Sequence, residues 1–126
     1  MAIPEAHRAV IAWWTHNRQE DNVDANIALL AEDIQYSSFG NKLVGIAAVR
    51  AKLTKKTGGS GKVFLDRLKQ VSAGVYELPM ELTLPLLNLT GNATGKFGLN
   101  AQNKLNVIEV SFDNWVLNNA AWLKGA

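Results

Sequence analysis

The spacing of hydrophobic residues changes from a helical period in the first half of the chain to alternation in the second. Apolar residues at intervals of three and four positions predict three helices: about Ala6 to Gln19, Asn22 to Ala31, and Ile46 to Leu53 after Gly45. Asn22 is suited to cap the second helix, because an asparagine side chain accepts hydrogen bonds from the free amides of a first turn. Between the second and third helices, Ile34 to Phe39 has the pattern of a short strand and ends at a Gly40-Asn41 turn.

From Lys62 onward the alternation predicts four strands. They are Val63 to Val71, Val75 to about Leu86, Lys96 to Asn100, and Asn106 to Trp115, with turns at 72–74 and 101–103 and a loop from Asn88 to Gly95. In the second strand every even position is apolar, so Glu77 and Glu81 are expected on the solvent side. Pro79 and Pro85 predict bulges or an exposed edge there, since proline cannot donate to a ladder. Helices followed by antiparallel strands indicate an α+β fold in which the helices cover one face of a sheet.

Length and composition limit the class of protein. A chain of 126 residues is expected to form a single domain over 1–126, and 48% hydrophobic with 19% charged residues excludes general disorder. The absence of cysteine excludes disulfides, thiolate metal sites and cysteine nucleophiles. No apolar run approaches the length of a membrane-spanning helix, and the first residues lack the pattern of a secretory signal. We therefore expect a cytoplasmic protein with no membrane partner.

The distribution of charge does not favour a nucleic-acid partner. The net charge is only +2, and seven of the 13 basic residues fall between Arg50 and Lys69. Lys52, Lys55 and Lys56 lie where the third helix should end, and cations there interact favourably with the helix dipole. The basic residues are not interleaved with the aromatic residues that stack on single-stranded bases. No metal site is predicted, because neither histidine has a carboxylate at ligand spacing.

Three motifs carry a resemblance to a known family. They are residues 22–33, NVDANIALLAED; residues 45–50, GIAAVR; and Phe97-Gly98-Leu99-Asn100 followed by residues 104–108, KLNVI. In this order and spacing they resemble the NTF2-like superfamily, which includes SnoaL-like cyclases and bacterial ketosteroid isomerases. The resemblance extends from about His7 to Trp115 and implies a cone, in which N-terminal helices pack on a strongly bent, mainly antiparallel sheet around an apolar pocket.

The resemblance implies that the pocket holds a small hydrophobic molecule and needs no cofactor. The residues expected to line it are Trp14, Tyr36, Ser38, Phe39, Phe64, Met80, Phe97 and Ile108. Trp13 and Trp14 are adjacent and point to different sides of the first helix, so one is expected in the core while the other could line the pocket mouth. Two functions fit: a cofactor-independent isomerase, cyclase or hydrolase, and a non-catalytic ligand-binding or dimerisation module.

The known catalytic residues of this superfamily are not reproduced in the chain. At the positions of the tyrosine donor, the aspartate base and the second donor of a ketosteroid isomerase it has Trp14, Ser38 and a residue near Gly95. Steroid isomerisation is not expected, because a serine hydroxyl cannot take up and deliver a proton near neutral pH as a carboxylate does. The Asp-Arg-Asp arrangement of limonene-epoxide-hydrolase-like members is also missing, since the comparable strand has Pro79 and Glu81 but no arginine.

Two other residues are candidates for acid–base chemistry. Asp66 shares one face of the predicted strand Val63 to Val71 with Phe64 and Leu68, so it points either into the cavity or into solvent. In the cavity, desolvation would raise its pKa and make it a usable base. His16 has the side chain best suited to proton transfer near neutral pH, but on the first helix it could equally face solvent.

The last expectation concerns assembly. Apolar residues lie on both faces of the strand Val63 to Val71, and the C-terminal segment carries Trp115, Leu117, Trp122 and Leu123 with few charges. Monomers rarely expose apolar patches larger than a few hundred Å². We therefore expect a homodimer, formed sheet face to sheet face around a two-fold axis.

Overall fold

Four helices and seven strands make up the described part of the chain, which is residues 3–16, 23–54, 60–84 and 88–123 of a computed structural model. The helices are α1 (Glu5–His16), α2 (Val23–Ile27), α3 (Ile46–Leu53) and α4 (Trp115–Leu123). The strands are β1 (Leu30–Ser38), β2 (Asn41–Val44), β3 (Ser60–Val63), β4 (Lys69–Ser72), β5 (Val75–Leu84), β6 (Leu89–Leu99) and β7 (Leu105–Phe112). The predicted cap Asn22 and the lysines Lys55 and Lys56 lie outside the described residues.

The strands form one curled sheet that does not close on itself. Their order is β2-β1-β7-β6-β5-β3, and β4 pairs with β5 beyond the end of β3. The β1–β7 pair is parallel, and all other pairs are antiparallel. The prediction of an α+β fold with helices on a bent, mainly antiparallel sheet is therefore confirmed.

One predicted strand, Val63 to Val71, is wrong. It divides into β3 and β4, with a turn of 3-10 helix at Leu65–Arg67 between them. Val63 pairs with Met80 and Lys69 pairs with Glu77, so the five residues 64–68 lie opposite only two residues of β5, 78 and 79. The three extra residues loop out in a turn that is closed by hydrogen bonds from Arg67 N to the Phe64 carbonyl (2.8 Å) and from Leu68 N to the Leu65 carbonyl (3.2 Å).

The predicted loop from Asn88 to Gly95 is also wrong. β6 begins at Leu89 and pairs with β5 continuously from Leu84↔Leu89 to Val75↔Gly98. Glycine, asparagine and threonine here were expected to mark a turn. They belong instead to a strand whose small residues allow close approach of neighbouring side chains.

The helix ends differ from the expected ones at two places. α2 ends at Ile27, and Leu30 and Ala31, which were expected at the end of this helix, are already in β1. The C-terminal segment, for which no structure was predicted, forms α4. Asn114 caps it by accepting hydrogen bonds from the amides of Val116 (2.9 Å) and Leu117 (3.3 Å).

The helices lie against one face of the sheet, the inner face. Ile11 and Trp14 of α1, Val49 of α3 and Ala121 of α4 are at most 1% exposed. These four residues belong to the same apolar core as the strand residues of the inner face. Within the described residues no helix is long and apolar enough to cross a membrane.

Candidate functional site

The inner face is built from rows of residues that pair directly across neighbouring strands. From β5 to β1 these rows are Tyr76, Phe97, Ile108 and Tyr36; then Leu78, Gly95, Val110 and Ser38; then Met80, Ala93 and Phe112. All of them are buried. α1 covers the first row, where the rings of Trp14 and Tyr36 meet edge-on with centroids 6.4 Å apart. The inner face is thus an aromatic and aliphatic surface with two tyrosines at its borders.

Beyond the third row the inner face becomes partly accessible. The half-buried aliphatic side chains there are Leu82, Leu84, Leu89 and Leu117, which we call the leucine end. A Cβ atom added to Gly91 would lie 2.6 Å from Leu117 Cδ1, so the α4 leucine occupies the space that this glycine leaves open. α4 is fixed nearby, because Asn118 Oδ1 accepts a hydrogen bond from the amide of Phe112 (3.0 Å). The leucine end is where apolar surface of the inner face meets solvent.

The outer face of the same strands carries charge. Directly paired across the sheet are Lys69, Glu77, Lys96, Glu109, Ser37 and Lys42, which we call the charged row. Lys96 Nζ lies 3.8 Å from Glu109 Oε2, with both side chains about half exposed. Glu77 and Glu81 lie on this outer face and are half-buried there.

The eight residues expected to line a pocket lie close together in this geometry, with one at the margin. Tyr36, Ser38, Met80, Phe97 and Ile108 belong to the three inner rows, and Trp14 packs on Tyr36 from α1. Phe39 stacks on Phe112 with centroids 5.1 Å apart. Phe64 is half-buried next to the looped-out turn, and the Arg67 guanidinium lies 5.0 Å from its ring centroid.

Solved structures with the same arrangement of helices and strands decide the fold. An NTF2-like protein of unknown function from Cytophaga hutchinsonii is 16% identical and matches 90% of this chain and 95% of its own, with a TM-score of 0.71. A putative ketosteroid isomerase from Kribbella flavida (16% identity, 87% and 79%, TM-score 0.70) is similar as well. So is an LEH-like epoxide hydrolase of M. tuberculosis (15% identity, 98% and 100%, TM-score 0.70).

The chain has the NTF2-like fold. The fold expected from the three sequence motifs is therefore confirmed. No protein-family model and no curated protein matches the sequence. At identities below 20% the structural likeness shows a shared fold, and the chemistry has to be derived from the residues of this chain.

The positions that the NTF2-like resemblance assigns to catalysis converge on the inner face. Ser38 and Gly95 belong to the same row, with Val110 paired to both, and Trp14 lies over Tyr36 in the next row. A Cβ atom added to Gly95 would lie 2.7 Å from Met80 Cε and 2.8 Å from Phe97 Cε2. The space beside Gly95, near which the resemblance puts the second donor, therefore holds the ends of two apolar side chains.

Carboxylates are missing from this part of the NTF2-like fold. Every Asp and Glu of the described residues is exposed, apart from the half-buried Glu77 and Glu81 on the outer face. Asp66 is exposed, because it lies in the looped-out turn and the continuous strand that could have directed it into a cavity does not form. His16 is exposed at the end of α1. Among the described residues no group of three or more His, Asp and Glu side chains could hold a metal ion.

A polar cluster that the sequence did not indicate lies at the opposite end of the inner face from the leucine end. The Tyr76 hydroxyl is 2.5 Å from His7 Nδ1, and His7 Nε2 is 3.0 Å from Asn103 Oδ1. Burial raises the pKa of the Tyr76 phenol above its usual value. Tyr76 and Asn103 lie 69 and 96 positions after His7 in the sequence, so only the fold brings the three residues together. The sequence placed Tyr76 on an apolar strand face, where its hydroxyl would need a hydrogen-bond partner. That need was the only signal of a polar cluster, and it did not identify the partner.

Proposed function

We propose that this protein binds a small, uncharged hydrophobic molecule at the inner face of its sheet, without acid–base catalysis by a carboxylate. The observation that carries this proposal is the composition of the inner face, which is aromatic and aliphatic and has no carboxylate among the described residues. Apolar surfaces with a few hydroxyls, here Tyr36 and Ser38, are typical of small-molecule sites. Two solved structures with the same fold are named as a putative ketosteroid isomerase and an epoxide hydrolase, which supports a small organic ligand.

The leucine end is the proposed entry. Its aliphatic side chains are half-buried, whereas the three inner rows beyond them are closed. Met80 and Leu117 are the groups that a ligand would displace, because their flexible ends fill the spaces above Gly95 and Gly91. An apolar ligand there would replace the contacts that these side chains make with the inner face. It would also remove further apolar surface from water.

Binding of the neutral fluorophore N-phenyl-1-naphthylamine tests the proposal, because its emission rises in apolar surroundings. Leu84→Asp places a charge at the leucine end, and Thr83→Asp places the same charge on the outer face of the same strand. We expect Leu84→Asp to weaken binding of the fluorophore about ten-fold or more, since an unpaired charge beside an apolar ligand loses its hydration. Thr83→Asp should change the affinity less than about two-fold.

Circular dichroism would establish that both variants fold. Absence of fluorophore binding to the wild-type protein, or equal weakening by the two folded variants, would refute a ligand site at the leucine end. Turnover of a 5-ene-3-ketosteroid by the wild-type protein, followed by absorbance, would instead restore the enzymatic alternative. We expect none, because Trp14 and Ser38 replace the donor and the base that this reaction needs.

The homodimer and the cytoplasmic location remain predictions from the sequence. Trp115 and Leu123 of α4 are 73% and 75% exposed, which supports a partner surface, while Leu117 packs against its own chain. We expect light scattering at micromolar concentration to give the mass of two chains. The mass of one chain would refute the dimer without affecting the proposed ligand site.

A further inference from the structure

Three residues from three different segments attach the start of α1 to the sheet. His7 lies in the first turns of α1, Tyr76 near the start of β5, and Asn103 in the turn between β6 and β7. The ring of His7 bridges the other two, with Nδ1 2.5 Å from the Tyr76 hydroxyl and Nε2 3.0 Å from Asn103 Oδ1. The rings of His7 and Tyr76 also meet edge-on with centroids 5.5 Å apart. We call this cluster the His7 latch.

The hydrogen-bond partners fix where the protons lie. Tyr76 is 1% exposed, and among the described residues its hydroxyl has His7 Nδ1 as its hydrogen-bond partner. A buried hydroxyl hydrogen needs an acceptor, so Nδ1 must carry a lone pair. The proton of the neutral ring is then on Nε2 and is donated to Asn103 Oδ1. In this state the Tyr76 hydroxyl and both ring nitrogens of His7 have a hydrogen-bond partner.

Protonation of the ring removes that arrangement. Both nitrogens then donate, and the Tyr76 oxygen must accept from Nδ1. The phenolic hydrogen thereby loses the acceptor that His7 provided. Loss of a hydrogen-bond partner by a buried donor costs free energy, and this cost destabilises the contact between α1 and β5.

The charged groups around the latch do not compensate for a positive ring. On α1, Glu5 is exposed, and Arg8 donates to the Leu65 carbonyl (3.2 Å). On the sheet, Glu77 follows Tyr76 but belongs to the outer face, and Lys104, which follows Asn103, donates to the Ala28 carbonyl (2.5 Å). No carboxylate among the described residues lies within ion-pair distance of His7.

We infer that His7 is a pH-dependent latch, which holds the start of α1 against the sheet while its ring is neutral and releases it when the ring is protonated. Histidine is the side chain whose charge responds to mild acidification in proteins, so lowered pH is the condition that tests release. Because α1 carries Ile11 and Trp14 over the inner face, release loosens the cover of the first inner row. This inference does not depend on a ligand.

Amide hydrogen exchange of residues 8–12 at pH 7.5 and pH 5.0, corrected for intrinsic rates, tests the latch. In the wild-type protein we expect the opening of these amides to increase about ten-fold at the lower pH, a factor that corresponds to loss of one buried hydrogen bond. His7→Asn keeps an acceptor for Tyr76 and does not titrate, so its exchange should not depend on pH. His16→Asn makes the same change at the exposed end of the same helix and should behave as the wild type.

A pH-independent opening of α1 in the wild type, or an unchanged pH dependence in His7→Asn, would overturn the latch. Long-range proton–nitrogen NMR on the wild-type protein gives a second measurement that needs no variant. It should find the proton of neutral His7 on Nε2 at pH 7.5, and a proton on Nδ1 at that pH would refute the assigned arrangement.

Discussion

Neighbouring residues of β6 lie in opposite environments on the two faces of the sheet. Phe97 is 1% exposed in the first inner row, between Tyr76 and Ile108. Lys96 is the next residue along the strand, pairs with Glu77 and Glu109 in the charged row, and keeps about half of its side chain in solvent. Because side chains alternate across a strand, a change of one position exchanges an apolar environment for a solvated one.

The comparison shows that the closely packed residues of the sheet lie on the inner face and the solvated charges on the outer face. The inner face gathers the aromatic rings, the space left by small residues and the proposed ligand site. The outer face gathers alternating charges whose interactions are weakened by water and salt. Substitutions on the inner face should therefore change stability and binding, and those on the outer face should change neither strongly.

The largest expected difference comes from truncating the two adjacent residues. Phe97→Ala should lower the free energy of unfolding by about 3–5 kcal/mol, because it removes a buried ring and leaves a cavity. Lys96→Ala should cost less than about 1 kcal/mol, because it removes a half-exposed ion pair. Urea unfolding followed by circular dichroism measures both. Similar losses for the two variants would mean that the faces are not energetically distinct.

The packing above Gly95 gives the next effect. Gly95→Ala should cost about 1–3 kcal/mol, because its Cβ atom would lie 2.7 Å from Met80 Cε and 2.8 Å from Phe97 Cε2. Met80→Val shortens one of these neighbours, so the double variant should lose less stability than the sum of the two single losses. A double-mutant cycle in urea measures this coupling, and strictly additive losses would show that Met80 does not limit the space.

The Tyr76 hydroxyl predicts how stability changes in alkaline solution. Burial raises the pKa of this phenol in the folded chain, whereas in the unfolded chain it ionises near pH 10. Its contribution is therefore fully present below about pH 10 and is lost as the pH rises toward the folded-state pKa. Urea unfolding from pH 8 to pH 11 should show a steeper loss for the wild type than for Tyr76→Phe. Parallel curves would argue against a buried, neutral phenol.

The smallest effect is expected in the charged row. Glu109→Gln removes one charge from the pair with Lys96, and we expect a loss of at most about 0.5 kcal/mol at low salt. The loss should vanish at about 1 M sodium chloride, where screening acts within a few ångströms. Thermal melting at two salt concentrations measures it, and a salt-independent loss would indicate packing rather than charge.

The alternating pattern predicted the faces of β5 and β7 well, because each contains an uninterrupted run of alternating residues. The even positions from Tyr76 to Met80 are buried, and Ile108, Val110 and Phe112 are buried together on β7. The same rule failed for the residues from Val63 to Val71, where the alternation continues through a segment that loops out of the sheet. Only the pairing of both flanks with β5 reveals the three extra residues.

The sequence predicted which residues share the inner face but not the polar contacts at its end, and their role in lining a ligand pocket stays a prediction. Trp14, Tyr36, Ser38, Met80, Phe97 and Ile108 were expected together, and the structure brings them together. The prediction that Asp66 could point into a cavity depended on a continuous strand from Val63 to Val71, which does not form. His7 lies at the start of the first predicted helix, and its contact with Tyr76 depends on how α1 crosses the sheet.

The sequence by itself determined the class of fold, the helical cover and the apolar face of the sheet, because these follow from local periodicity and from short motifs. The tertiary structure decided which residues share a row, which spaces are filled by Met80 and Leu117, and which polar groups meet. Glycines at 91 and 95 indicated a loop in the sequence, and in the sheet they are positions where neighbouring side chains enter. The physical reason is that pairing and packing join residues far apart in the chain, and a local pattern carries no information about such contacts.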